Sequence, residues 1–178
     1  MVAFLLRMGA GINGTPDRAH TNDTEAQFIL PTGAPTFYGA GLVMDSTGKV
    51  RVPVTGDAPA TGPGAGGMVY GLFIRPYVTN SNQAGLGVDI PPVGGAGVLM
   101  EPANVMVRGY MSVLLRGAVA ATKGAPVYVW KAAAAGGQVP GGITADGTTL
   151  ASVMACPGRS YFVGPADANG ITQIAFGI

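Results

Sequence analysis

The sequence predicts an all-β protein: a compact β-sandwich or barrel, jelly-roll-like, with long Gly/Pro-rich loops and an N-terminal arm. Three observations carry that fold class. Large apolar residues recur at period two in short runs, the pattern of strands with a buried face. Gly and Pro, 30 and 14 of 178 residues, punctuate those runs from end to end. Finally, no apolar period of 3.6 residues holds for three turns, and the Ala-rich stretches at 118–121 and 132–135 are hemmed in by Gly and Pro. Many short strands with frequent turn signals build sandwiches and barrels. Such a Gly/Pro content in a polar chain would read as disorder, but 48% of the residues are hydrophobic and only 11% charged.

The densest apolar stretch, residues 104–130, is the expected core. Val105 and Val107 alternate with Met106 and Arg108; after Gly109 the alternation resumes as Met111, Val113 and Leu115 against Ser112, Leu114 and Arg116. Val127 and Val129 then alternate with Tyr128 and Trp130. The other elements follow in order. Residues 1–30 read as an arm or a first strand, ahead of a single β domain over 31–178. In that arm, residues 1–8 are apolar, 9–25 polar and turn-forming, and 26–30 apolar again before Pro31. Between 37 and 54 a short strand, the turn Asp45-Ser46-Thr47-Gly48 and a second short strand predict a hairpin, because Asp at the first and Gly at the fourth position suit a type I turn. A loop with a single charge spans 56–67, a strand 68–75, and a long irregular segment 79–97. Loops of this length are often functional or interface-forming. After a small-residue linker at 132–142, strands are expected at 149–155, 160–164 and 171–178, with Ile174, Phe176 and Ile178 on one face.

Composition narrows the function classes. The net charge is +1 with no basic run, which gives nucleic acid no footprint. One cysteine, Cys156, excludes an intrachain disulfide and a multi-cysteine zinc site. The apolar start is six residues long, lacks a preceding basic region and meets Arg7, so it does not read as a signal peptide; no apolar run is long enough for a membrane span. A chain with so few charges is expected to bury part of its surface against other subunits.

No catalytic or cofactor motif survives its context. Gly9-Ala10-Gly11-Ile12-Asn13-Gly14 spells a dinucleotide-binding fingerprint, yet Thr15-Pro16-Asp17 follows instead of a helix and no acidic residue lies near 30–36. The only histidine, His20, stands among Asp17, Asp23 and Glu25 in a polar loop, too sparse a set for a metal centre. Cys156 precedes Pro157 at the end of an apolar run and reads as an inert buried thiol, with Arg159 as the one basic neighbour in sequence. The Asn-x-Thr sequons at Asn13 and Asn22 carry no weight without a secretory signal. No metal and no cofactor are expected.

Two stretches resemble a known family. The first is Gly11-Ile12-Asn13-Gly14-Thr15-Pro16-Asp17-Arg18; the second is residues 39–54 followed by Tyr70-Gly71-Leu72-Phe73-Ile74-Arg75-Pro76-Tyr77. Together with Val107-Arg108-Gly109-Tyr110-Met111-Ser112-Val113 and Lys123-Gly124-Ala125-Pro126-Val127-Tyr128-Val129, their order resembles the structural cement (capsid decoration) proteins of tailed bacteriophages, over most of residues 11–130. The resemblance implies a non-enzymatic, β-rich virion protein on the outer capsid surface, made in the bacterial host cytoplasm. Its partners would be the major capsid protein and itself, as a dimer or trimer. The candidate interface residues are Phe4, Leu5 and Leu6 at the arm's tip, with Arg18, Arg75 and Tyr77 in the two motif stretches. The loops at 56–67 and 79–97 depart from the family pattern by their length. Rival readings are a tail or baseplate β-module, and a glycan-binding or glycan-cleaving sandwich using Tyr128 and Trp130 as a stacking platform.

Overall fold

The computed structural model describes residues 11, 13–17, 22–57, 68–75, 103–149 and 151–178. Among them the chain forms eleven strands and no helix: β1 (Thr15–Pro16), β2 (Asp23–Gln27), β3 (Gly41–Met44), β4 (Val50–Arg51), β5 (Gly71–Phe73), β6 (Ala103–Leu114), β7 (Tyr128–Trp130), β8 (Ile143–Thr144), β9 (Val153–Ala155), β10 (Tyr161–Phe162) and β11 (Ile171–Phe176). Two antiparallel sheets result. The larger runs β10-β11-β6-β5-β3-β4, with β1 and β2 also paired to β6; the smaller runs β8-β7-β9.

The 12-residue β6 organises the larger sheet, as its apolar density predicts. Its C-terminal half pairs with β1 and β11, with Val113 opposite Thr172 and Ser112 opposite Thr15. Its N-terminal half pairs with β2 and β5, so that Val105 lies opposite both Glu25 and Phe73. Side chains on successive strand residues point to opposite faces, and here each face has its own core. Val43, Leu72, Met106, Met111 and Val113 pack with Val129, Ile143 and Met154 of the smaller sheet. Their neighbours Leu42, Phe73 and Val105 pack on the reverse face with Ile29, Phe37, Tyr38 and Val50. Burial on both faces explains why these strands read as continuous apolar runs. Each fully buried side chain of this size contributes about 1.5–3 kcal/mol. The phase of β6 shifts by one residue around Gly109, close to where its ladder with β2 slips between Asp23 and Thr24. That shift lets Met106, Met111 and Val113 share one core.

The larger sheet curls. After leaving β6 at Gln27, the chain reaches β4: the Val50 N–H donates to the Phe28 carbonyl at 2.9 Å, and the Leu30 N–H donates to the Val50 carbonyl at 2.8 Å. One bridge, Ile29 to Val50, does not close a barrel. Of the two architectures expected, the sandwich is the one formed.

Local chemistry accounts for the hairpins. In the predicted Asp45–Gly48 turn, the Asp45 carboxylate accepts from the Thr47 and Lys49 N–H groups, both at 2.9 Å, and Gly48 takes φ +76°, where a side chain would be strained. Asp167 makes the same turn before β11, accepting from the Asn169 and Ile171 N–H groups at 2.8 and 2.9 Å. The stretch at 132–142 joins β7 to β8 and is folded on itself, Ala135 and Gln138 exchanging backbone hydrogen bonds of 3.1 and 2.9 Å. The strand expected at 68–75 is confined to Gly71–Phe73.

Candidate interaction surface

The motif at 11–17 forms a buried polar knot against β6. Asn13, 5% exposed, donates from Nδ2 to the Tyr38 carbonyl at 2.6 Å and accepts at Oδ1 from the Leu114 N–H at 2.9 Å. The Gly14 N–H donates to the Ser112 carbonyl at 2.8 Å, and the Asp17 carboxylate accepts from the Ser112 hydroxyl at 2.9 Å and from Gln173 Nε2 at 2.9 Å. Arg75 locks the knot from the other side. Its backbone N–H reaches the Gly14 carbonyl at 2.9 Å, its Nε the Asn13 carbonyl at 3.2 Å, and its guanidinium lies 4.7 Å from the Tyr38 ring centre. The knot fixes where residues 1–10 join the domain and where the segment after Arg75 departs.

A second anchor stands at the root of the 58–67 segment, on the one charge the sequence places there. Asp57 takes a bidentate pair from Arg51, at 2.6 and 2.8 Å, and the Val54 N–H at 2.7 Å. Lys131, buried at the end of β7, donates to the Asp57 carbonyl at 2.8 Å and so ties this root to the smaller sheet. Burial alone would raise the Asp57 carboxyl, but the Arg51 guanidinium and the Val54 N–H hold it below its ordinary value. A depressed folded-state carboxylate contributes stability above the unfolded value near pH 4, and loses it as pH falls toward the folded value. Asp57→Asn is therefore expected to lose about 2–3 kcal/mol at pH 7, with the gap to the parent closing below about pH 4. Thermal melts of both chains across pH check this; a gap that persists at pH 2–3 would remove Asp57 from the account.

Of the six candidate interface residues, Phe4, Leu5, Leu6, Arg18 and Tyr77 lie outside the described residues, as do His20, residues 58–67 of the first long loop and the whole of 79–97. Arg75 is described and is engaged with Asn13, Gly14 and Tyr38 as above. Exposed apolar side chains that the sequence reading did not single out are Phe28, Val54, Met68 and Val119, with Phe28 the most exposed at 53%. They carry no sequence signal, since buried and exposed positions alike occur in apolar runs here. Ile178, expected on one face with Ile174 and Phe176, lies beyond the end of β11 and is exposed while those two are buried. β2 is the most solvent-facing strand: Asp23, Thr24, Glu25 and Ala26 are all exposed. It is steadied from below by Tyr70, whose hydroxyl donates to Glu25 and accepts from Gln27 Nε2 at 2.8 Å. Burial and the Glu25 carboxylate push the Tyr70 hydroxyl up to about 12.

The chemical alternatives meet specific geometry. Gly11 and Gly14 lie in a turn that leads into strand β1, so the helix N-terminus that a dinucleotide fingerprint requires is replaced by a β-ladder. Cys156 packs against the first core, and burial pushes its thiol well above the ordinary value, which disfavours the nucleophilic thiolate. Among the described residues no group of three or more His, Cys, Asp and Glu gathers as a metal site. Tyr128 and Trp130 do share the face of β7 opposite Val127 and Val129, both half-buried, with the Trp130 indole N–H donating to the Ala133 carbonyl at 3.1 Å.

Known proteins place this architecture in a class: it shares the fold of a chain from "The capsid of Myoviridae Phage XM1". That similarity has a TM-score of 0.67 over 97% of this chain and 94% of that one, at 18% identity. The chain belongs to the XM1 gp53 minor capsid protein family, whose model matches residues 1–176. It is thus a structural protein of a phage virion, located in the capsid, in keeping with the capsid-associated class that the sequence motifs resemble. No curated protein matches the chain.

Proposed function

We propose that this minor capsid protein acts as a cement: it binds the outer surface of the assembled shell and bridges neighbouring major capsid subunits, without catalysing a reaction. The observation that carries the reading is the anchoring of the long segments. The 58–67 segment leaves from the Arg51–Asp57–Lys131 clamp, and the 76–102 segment leaves from Arg75 and returns beside the Ile74–Asn104 hydrogen bond of 3.0 Å. Long Gly/Pro-rich segments on fixed roots suit contact with a lattice. Several modest contacts made by one dimer or trimer multiply through effective concentration. The apolar residues Phe4, Leu5 and Leu6 are assigned to contacts between copies or with the shell.

Cosedimentation with undecorated capsids tests the function. The purified chain is expected to saturate shells and to leave isolated tails unbound; binding to tails instead of shells would overturn it. In the same assay, His20→Ala with Cys156→Ser is expected to bind within a few-fold of the parent. A loss beyond tenfold, about 1.4 kcal/mol, would assign one of those residues an active part.

A further inference from the structure

We propose that the outer edge of β2 is the acceptor for an added strand, and that the strand is the apolar N-terminal segment, residues 2–8, of a second copy of this chain. The inference rests on the functional reading in one respect: it names the receiving surface for the arm assigned there to contacts.

Backbone parity shows that this edge is open. The Phe28 carbonyl and the Leu30 N–H point toward β4. Thr24 and Ala26, in the same phase, therefore turn their N–H and C=O groups away from β6, while Glu25 and Gln27 face Val105 and Ala103 across the ladder. On the β6 side the phase agrees, because the Asn104 carbonyl is taken by the N–H of Ile74, the residue that follows β5. Among the described residues nothing pairs with the outward groups of Thr24 and Ala26. An open edge with both faces solvated is a template for another strand.

The occupant follows from alternation and charge. By period two, Asp23, Glu25 and Gln27 share one face of β2, and Thr24, Ala26 and the exposed Phe28 share the other. In the sequence 2–8, Ala3, Leu5 and Arg7 alternate with Val2, Phe4, Leu6 and Met8. A register that sets Arg7 on the face of Asp23 and Glu25 sets the larger apolar residues on the face of Phe28. A β2–β2 pairing between copies would instead bring acidic residues together. Direction selects the neighbour's segment over the chain's own. The chain meets β6 at its C-terminal end, Thr15 opposite Ser112, and advances toward β2, which lies along 103–108. Residues 1–10 thus join at the end of β6 remote from β2. Folding back over about seven residues of strand, roughly 23 Å, would consume most of a ten-residue reach of about 33 Å.

The test mixes two full-length chains, each in a Cys156→Ser background: one carrying Phe4→Cys, the other Thr24→Cys. A short bis-maleimide can then join Phe4→Cys to Thr24→Cys only between molecules. Expected is at least tenfold more mixed crosslink than either chain gives alone, reduced to background when Ala26→Pro is added to the Thr24→Cys chain. Ala26→Pro deletes an outward N–H and no β6 hydrogen bond, so its melting temperature should stay within a few degrees of the parent. Deletion of residues 2–8 should likewise leave a folded domain while lowering self-association. No excess of mixed crosslink overturns the inference. So does a concentration-independent crosslink within a chain carrying both cysteines, which would put the segment on its own β2. Capsid cosedimentation of the same variants separates the two claims: crosslinking without capsid binding sinks the cement function, and capsid binding without crosslinking sinks the strand addition.

Discussion

Val113→Asp is expected to abolish folding. Val113 is fully buried on β6, in the core where the larger sheet meets Val129, Ile143 and Met154, with Thr172 across the ladder. The neighbouring hydroxyl is already committed, Thr172 Oγ1 donating to the Gly164 carbonyl at 2.8 Å. The substitution loses about 1.5–3 kcal/mol of apolar burial and places a carboxylate where it is left unpaired. Burying an unpaired polar group adds roughly 2–7 kcal/mol. The total reaches the whole stability of a typical domain, about 5–15 kcal/mol. Expression should yield insoluble chain, or soluble chain with no cooperative melt. Val113→Ala is the control: smaller by two methyl groups, it should fold with a loss of about 2–3 kcal/mol. A cooperative melt for the Asp variant would mean the side chain points away from the core.

The organising strand was legible because β6 obeys elementary rules over twelve residues: β-branched and aromatic side chains, period two, and a Gly where the phase changes. The Asp45–Gly48 hairpin was legible for a similar reason, since its carboxylate and glycine act on their own neighbours. What stayed hidden depends on distance. Nothing near Asn13 in sequence announces that it holds Tyr38, 25 residues on, and Leu114, 101 residues on. Gly71 looks like an ordinary strand interruption, yet a Cβ there would stand 2.7 Å from the Met106 carbonyl, so its smallness admits β6. Arg75, read as an interface residue from its motif, is partly consumed by the internal knot. Polar residues shared by both roles look alike in one sequence.

The same distance dependence separates the two halves of the functional argument. Apolar alternation identifies strands, so the fold class follows from local pattern. Whether an apolar residue faces a core or a partner is decided by where the second sheet lies. Phe28 and Phe73 are equally apolar, but Phe73 is 3% exposed against Tyr38 while Phe28 is 53% exposed beyond β2.

Asn13→Leu is the second large effect, and it acts on the knot instead of the core between the sheets. Leucine nearly matches the shape of asparagine but neither donates nor accepts. The Tyr38 carbonyl loses the 2.6 Å bond from Nδ2, and the Leu114 N–H loses its 2.9 Å acceptor. Leaving a buried backbone group without a partner costs about 1–3 kcal/mol, so the pair predicts a loss of roughly 3–5 kcal/mol. Asn13→Asp divides the two bonds: it keeps the acceptor for Leu114 and sets an oxygen against the Tyr38 carbonyl where a donor stood. Packing offers little relief, because Gly14 has φ +77° and a Cβ there would lie 2.5 Å from Tyr38 Cβ, so the turn has no room to re-form. Both variants should melt well below the parent, Asn13→Leu cooperatively so long as the two cores persist. Hydrogen exchange should speed up at Leu114, Gly14 and Arg75, whose N–H groups the knot orders, and change little at Val129 in the smaller sheet. Uniform protection loss across both sheets would instead make the knot inseparable from the core. An unchanged melt would show that the motif at 11–17 is not what fastens the N-terminal segment to β6.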